Sequence, residues 1–237
     1  MRLPRKSLLF LLCITFGGCV YLRFLELRHQ FANFGSYFQI EEKGGIALVF
    51  LKPVLLSEDI AWLMGGKPIY EKETEGETVW KYVFKKQPPN LDKEDFDIPV
   101  FLFFKNNRLV RVSFPERFLK YFSKPLLARV LGSVGSAEVS KLSRKITSGV
   151  KIEDYSMMPR REHFIEVMGR PSAIKNLPSG NLLTYVYTAG GSSEKENANL
   201  TLHLLFHNGD GHLIRAEGII RGFSIRFNIF SKDSSSN

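Results

Sequence analysis

Three histidines, His203, His207 and His212, fall close together, and imidazole is the commonest metal ligand. On a single strand His203 and His207 share a face but stand about 13 Å apart at roughly 3.3 Å per residue, too far for one ion. His212 lies beyond the turn Asn208-Gly209-Asp210-Gly211, so all three read as solvent-facing strand residues. Carboxylates gather at Glu71, Glu73, Glu75 and Glu77, and again at Asp92, Glu94, Asp95 and Asp97. Neither run has the Asp-x-Asp-x-Asp-Gly spacing of a calcium loop, so both read as solvated loop charge. Ser133, Ser136 and Ser140 lack a Gly-x-Ser-x-Gly setting, and there is no glycine-rich phosphate loop. The two cysteines, Cys13 and Cys19, have no CxxC spacing and cannot build a disulfide scaffold. The sequence therefore predicts no catalytic constellation, no metal and no cofactor. It points to a protein that binds.

The net charge of +9 over 237 residues raises the question of an anionic partner. Residues 1–18 carry Arg2, Arg5 and Lys6 with no acids, and residues 19–115 and 152–237 are each neutral. The surplus sits in residues 116–151, which carry eight basic and two acidic groups. Nucleic-acid binders spread Lys and Arg over a folded face with aromatics between them. Two neutral blocks around a basic connector do not predict such a stripe, so no nucleic-acid partner is expected. Within the connector Phe118, Leu119, Phe122, Leu126 and Val130 fall on one helical face, with Arg117, Lys120 and Lys124 on another and Arg129 one turn further on. These four cations are the candidate site for an anionic lipid surface or a partner.

The N-terminus reads as an address. Met1–Lys6 is basic, 8–16 is apolar, and Gly17-Gly18-Cys19 follows. This is the layout of a secretory signal over residues 1–18. A cysteine directly after small residues resembles a bacterial lipobox, which would make Cys19 the lipid-bearing first residue of the mature chain. The alternative is an uncleaved anchor helix from Ser7 to Leu22, shorter than the roughly 20 residues that cross a bilayer core. Either reading places the protein in the bacterial envelope, attached to a membrane and facing the periplasm. Val20 follows the cysteine in place of aspartate, which favours the outer membrane. Residues 19–35 form a membrane-proximal helix or linker, and 231–237 a polar, disordered tail.

The elements that fill the two neutral blocks repeat. Residues 37–42 and 46–51 flank Lys43-Gly44-Gly45 as a hairpin. Ser57 can cap a helix with Ile60, Leu63 and Met64 on its apolar face, ended by Gly65-Gly66 and Pro68. Met64-Gly65-Gly66-Lys67-Pro68 matches Met168-Gly169-Arg170-Pro171, and Trp80-Lys81-Tyr82-Val83-Phe84 matches Leu183-Thr184-Tyr185-Val186-Tyr187. Phe101–Asn106 matches His203–Asn208, and Leu109–Val112 matches Leu213–Ala216. The offsets stay at 102 to 104, as a duplication requires. Each copy reads as a short helix, a Gly-x-Pro turn and an antiparallel meander.

At these residues the chain resembles the SmpA/OmlA lipoproteins, which include the smallest lipoprotein of the outer-membrane β-barrel assembly machine, and is similar to the tandem fold of the β-lactamase inhibitor protein. The resemblance covers roughly residues 46–113 and 152–220. It implies a non-catalytic binding or scaffolding role, possible work in outer-membrane protein assembly or envelope integrity, and an envelope protein as partner. The predicted fold is α+β: two tandem units over 36–115 and 152–230, each a short helix on an antiparallel sheet, joined by a helical connector over 116–151. Trp62, Trp80, Tyr82, Phe104 and Tyr185 are expected mostly in the core, and any left on an open sheet face would meet a partner.

Overall fold

The computed structural model describes residue 20 and residues 22–87, 96–140, 143–190 and 199–231. The expected signal 1–18 with Cys13, the expected anchor Cys19, the carboxylates Asp92, Glu94 and Asp95, and residues 232–237 lie outside the described residues.

The architecture is mixed α+β, dominated by one large open sheet of 13 strands. Residues 22–32 form α1, and α2 (Phe34–Tyr37) leads into the hairpin β1 (Phe38–Glu41) and β2 (Ile46–Phe50). Then come α3 (Ser57–Met64), β3 (Tyr70–Thr74), β4 (Glu77–Gln87), β5 (Ile98–Lys105) and β6 (Arg108–Phe114). A 3-10 turn (Glu116–Lys120) precedes α4 (Lys124–Gly132), and β7 (Glu138–Ser140) and β8 (Lys145–Ile152) follow. The last stretch holds α5 (Arg161–Met168), β9 (Ala173–Leu177), β10 (Gly180–Gly190), β11 (Asn199–Phe206), β12 (Leu213–Ile220) and β13 (Phe223–Ser231). The strand order is β1-β2-β6-β5-β4-β10-β11-β12-β13-β8-β7, with β3 on β4 and β9 on β10. All pairings are antiparallel except β13 with β8.

Two differences from the expected plan follow. The sheet is continuous, because the second half of β4 pairs with the second half of β10, Val83 opposite Gly190 and Gln87 opposite Val186. The connector is helical only in its first half. Lys145–Ile152 alternates Ile146, Ser148, Val150 and Ile152 on the buried side, the period-2 pattern of a strand, and it runs parallel to β13. The helical stripe expected from Phe118 to Val130 is also interrupted: Pro125 has no N–H to continue a helix from upstream, so α4 starts afresh with Ser123 as its cap.

The helices pack on one face of the sheet. The core joins Phe31 of α1, Ile60 of α3, Leu126 of α4 and Phe164 of α5 to one side of each strand: Trp80, Tyr82 and Phe84; Val100, Leu102 and Phe104; Leu183, Tyr185 and Tyr187; Leu204 and Phe206. Helices α3 and α5 are held by matching bonds. The Ser57 N–H donates to Asn107 O at 3.2 Å, and the Arg161 N–H to Gly211 O at 3.0 Å. Leu56 bridges Arg108, and Arg160 bridges His212. At the far ends the Tyr82 hydroxyl donates to Gly66 O at 2.8 Å and the Tyr185 hydroxyl to Gly169 O at 3.2 Å. The register slips once between β5 and β6 at Phe103/Phe104, and once between β11 and β12 at Leu205/Phe206. Ser57 does not cap α3 as expected. Its hydroxyl bonds Asn107, and the buried Asp59 carboxylate accepts the Leu56 N–H at 2.9 Å.

Candidate binding surfaces

The four connector cations do not form one open patch. The Arg117 guanidinium turns back to the sheet and donates to Phe96 O at 3.2 Å and Asp97 O at 2.8 Å. Lys120 pairs with Glu166 on α5, which also accepts the Tyr121 hydroxyl. Those bonds hold the Glu166 carboxyl below its usual range and the Lys120 ammonium above its own. Arg129 donates to Lys151 O at 3.2 Å from the last turn of α4, where the helix dipole favours a cation. Lys124 is exposed at the first turn of α4. Three of the four thus fasten the connector to the rest of the molecule, and its apolar residues Phe118, Phe122 and Val130 pack against the core.

The cations that face outward lie elsewhere. Because the core takes alternate side chains of each strand, the residues between them project from the opposite face. Across that face Tyr70 stands beside Lys81 and Lys81 beside Phe101. In the next row Lys72 stands beside Val79, Val79 beside Phe103, and Phe103 beside Arg111. Lys85 and Lys105 share the face further along β4 and β5. The Lys81 ammonium lies 5.6 Å from the centre of the Phe101 ring, and the Arg111 guanidinium 3.8 Å from that of Phe103, so the rings carry cations on their faces. None of these five cations is in an ion pair among the described residues. Glu77, opposite Lys105 in the register, is the nearby acid of this face, while Glu71 and Glu73 alternate to the other side of β3. Counting charge by block hid this surface, because a strand separates its charges between faces without changing their sum. The signal was in the alternation Lys81/Val83/Lys85 and Phe101/Phe103/Lys105.

A second surface joins distant parts of the chain. Trp62, on the outer side of α3, is 50% exposed. Its ring meets Phe223 of β13 edge-on at 5.5 Å, and Arg144 lies over the other aromatic at 5.3 Å. Arg221 donates to Trp62 O at 2.7 Å. Trp80, Tyr82, Phe104 and Tyr185 are buried.

The remaining candidates are structural. His203 bonds Thr184 at 3.1 Å. Asp210 lies 3.1 Å from both His207 and His212, and its hydrogen bonds to His212 hold its carboxyl down at about 2. His212 is buried, not solvent-facing as expected, because its residue bridges the start of α5. No cluster of His, Cys, Asp or Glu among the described residues could hold a metal ion. Lys86 is one charged group that sequence reasoning missed. It is buried at the β4–β10 seam, opposite Tyr187, and its ammonium donates to Met168 O at the end of α5 at 2.8 Å. Burial pushes that ammonium below the usual lysine range. Gly169 permits the approach, since a Cβ there would stand 2.6 Å from the Lys86 nitrogen. Among the described residues no helix is long and apolar enough to cross a membrane.

No protein-family model, curated protein or solved structure matches this chain.

Proposed function

We propose that the protein is an SmpA/OmlA-like envelope lipoprotein, anchored through Cys19, whose two tandem α+β units form a rigid scaffold for a protein partner. The observation that carries the reading is the matched set of bonds around α3 and α5: helix start to hairpin turn, and strand tyrosine to the glycine carbonyl after the helix. The β4–β10 seam supports it. With the offset of 103, Val83 corresponds to Val186 and Gln87 to Gly190, so the pairs Val83–Gly190 and Gln87–Val186 are one contact with the roles exchanged. That is the pattern of an isologous interface, here within one chain. A duplicated unit that joins to its own copy gives a stiff platform, and the chemistry it offers is surface chemistry.

The partner contact is the Trp62–Phe223 pair with Arg144 and Arg221, since exposed Trp and Arg dominate binding energy at protein interfaces. The test is in-cell photo-crosslinking from position 62. A discrete protein adduct that disappears in Phe223→Ala is the expected result. Crosslinks to lipid alone, or a protein adduct unchanged by Phe223→Ala, would overturn it. Labelled palmitate should enter the wild type and not Cys19→Ser.

A further inference from the structure

We infer that the helix-free face of the first half of the sheet, carrying Lys72, Lys81, Lys85, Lys105 and Arg111, seats the protein on the phosphate-bearing headgroups of an anionic bilayer. The inference rests on the membrane-anchored reading above, and it moves lipid contact from the connector, where sequence placed it, to the strands.

Three observations choose this occupant. The five cations share one face, with Glu77 opposite Lys105 and no ion pair to any of the five among the described residues, and a concentration of cations on one face complements an anionic counter-surface. The aromatic rings between them are already covered by Lys81 and Arg111. Nucleobases need open rings to stack on, whereas headgroup phosphates need only the cations. The tether is also at hand. Arg23, four residues after Cys19, makes two hydrogen bonds to Asp59, at 2.7 and 2.6 Å. Asp59 sits in the first turn of α3, which is bonded to the β5–β6 turn beside Lys105. Residue 20 is helical like residues 22–32, so the start of α1, next to the lipid-bearing position of the anchored reading, lies at the end of the sheet that carries Lys105.

Each cation near an anionic surface contributes about 1 kcal/mol, roughly a fivefold gain in partition, and salt screens it. The test is lysine acylation footprinting of the full chain on phosphatidylcholine vesicles, with and without phosphatidylglycerol. Flotation with both vesicle types reports the anchor, and the footprint reports the face. On the anionic vesicles, labelling of Lys72, Lys81, Lys85 and Lys105 should fall severalfold and recover at about 1 M salt, where the Debye length is roughly 3 Å. Lys124 should label equally on both. Lys81→Glu/Lys85→Glu should remove the protection at Lys72 and Lys105. Equal labelling on both vesicles would overturn the inference even if the chain floats. So would protection centred on Lys124, or protection by added single-stranded RNA in preference to lipid. Loss of flotation on both vesicles would remove the anchor reading instead, leaving the footprint to be decided by the anionic vesicles in solution.

Discussion

The two halves of the sheet place their core aromatics alike and their charges differently. In the first half Lys72, Lys81, Lys85, Lys105 and Arg111 stand on the outer face without ion pairs among the described residues. In the second half the outer face carries Glu217, opposite Arg226 in the register. Its carboxylate lies 2.7 Å from Arg226 and 3.7 Å from Lys145, and it accepts the Ser224 hydroxyl. Burial pushes the Glu217 carboxyl up, but the bonds from Arg226 and Ser224 outweigh it and hold the group below its usual range. Lys72 and Arg111 recur as Lys175 and Arg215 in the matching row of the second half, whereas Thr184, Thr188 and His207 stand where the first half has Lys81, Lys85 and Lys105. The edges differ too. Strand β2 pairs directly with β6, whereas β13 turns back onto β12 and interposes itself before β8. The bonds that fix the helices to the sheet match between halves, while the solvent-facing groups at Lys81, Lys85 and Lys105 have diverged. Function belongs where the halves disagree.

The largest effect should come from the helix starts. At α3 the Leu56 N–H is accepted by Asp59, which is 1% exposed and pairs with Arg23. At α5 the Arg160 N–H reaches His163 Nδ1 at 3.2 Å, and the His163 ring stacks on Tyr121 at 4.0 Å. Breaking a buried ion pair from one side costs about 3–5 kcal/mol, and losing a cap about 1 kcal/mol. Asp59→Ala should therefore lower the urea-unfolding free energy several times more than His163→Ala. Equal losses would mean that Arg23 does not hold α1 to α3.

A smaller and symmetric effect is expected at the helix ends. Tyr82→Phe and Tyr185→Phe each leave a glycine carbonyl without its hydroxyl donor, at a cost of about 1–3 kcal/mol. If the halves are copies, the two losses should agree within the scatter of the measurement and add in the double variant, since the sites share no partner. A loss at one tyrosine only would break the equivalence.

How much of this was legible follows from what each signal averages over. Alternation at Trp80, Tyr82 and Phe84, and the glycines after Met64 and Met168, are local, and local pattern places strands and helix ends. The offset matched Tyr82 to Tyr185 as strand positions, but the bonds from their hydroxyls to Gly66 and Gly169 have no signature in the sequence. Residues 145–152 carry the same period-2 signal, but all of them except Ile152 fall in the 116–151 connector, whose apolar stripe from Phe118 to Val130 has the helical period. The joining of β4 to β10 has no local signature, because an edge strand looks the same whether its neighbour is solvent or another strand. The Arg23–Asp59 pair, 36 residues apart, is long-range in the same sense. The basic face was written in the sequence, and only separating each strand into its two faces would have found it.

The smallest effect is a pH slope set by Lys86, and it too separates the halves. With the offset of 103 the matching place on β10 is Ala189, 2% exposed and without a charge, so the first half alone puts an ammonium into the seam. Burial lowers the folded pKa of Lys86 below the unfolded value of about 10.4. Between those two values the unfolded chain holds a proton that the folded chain has shed, so stability rises with pH across that window. Below the folded pKa the ammonium is present in both states, and the cost of desolvating it is felt in full. Lys86→Met keeps the apolar stem and removes the titration, at the loss of the bond to Met168 O. Urea midpoints of the two proteins, compared from about pH 7 to about pH 10, should show the wild type gaining on the variant as pH rises. A constant gap would mean that the Lys86 ammonium is as well solvated in the folded protein as in the unfolded chain, and the seam would then be wet.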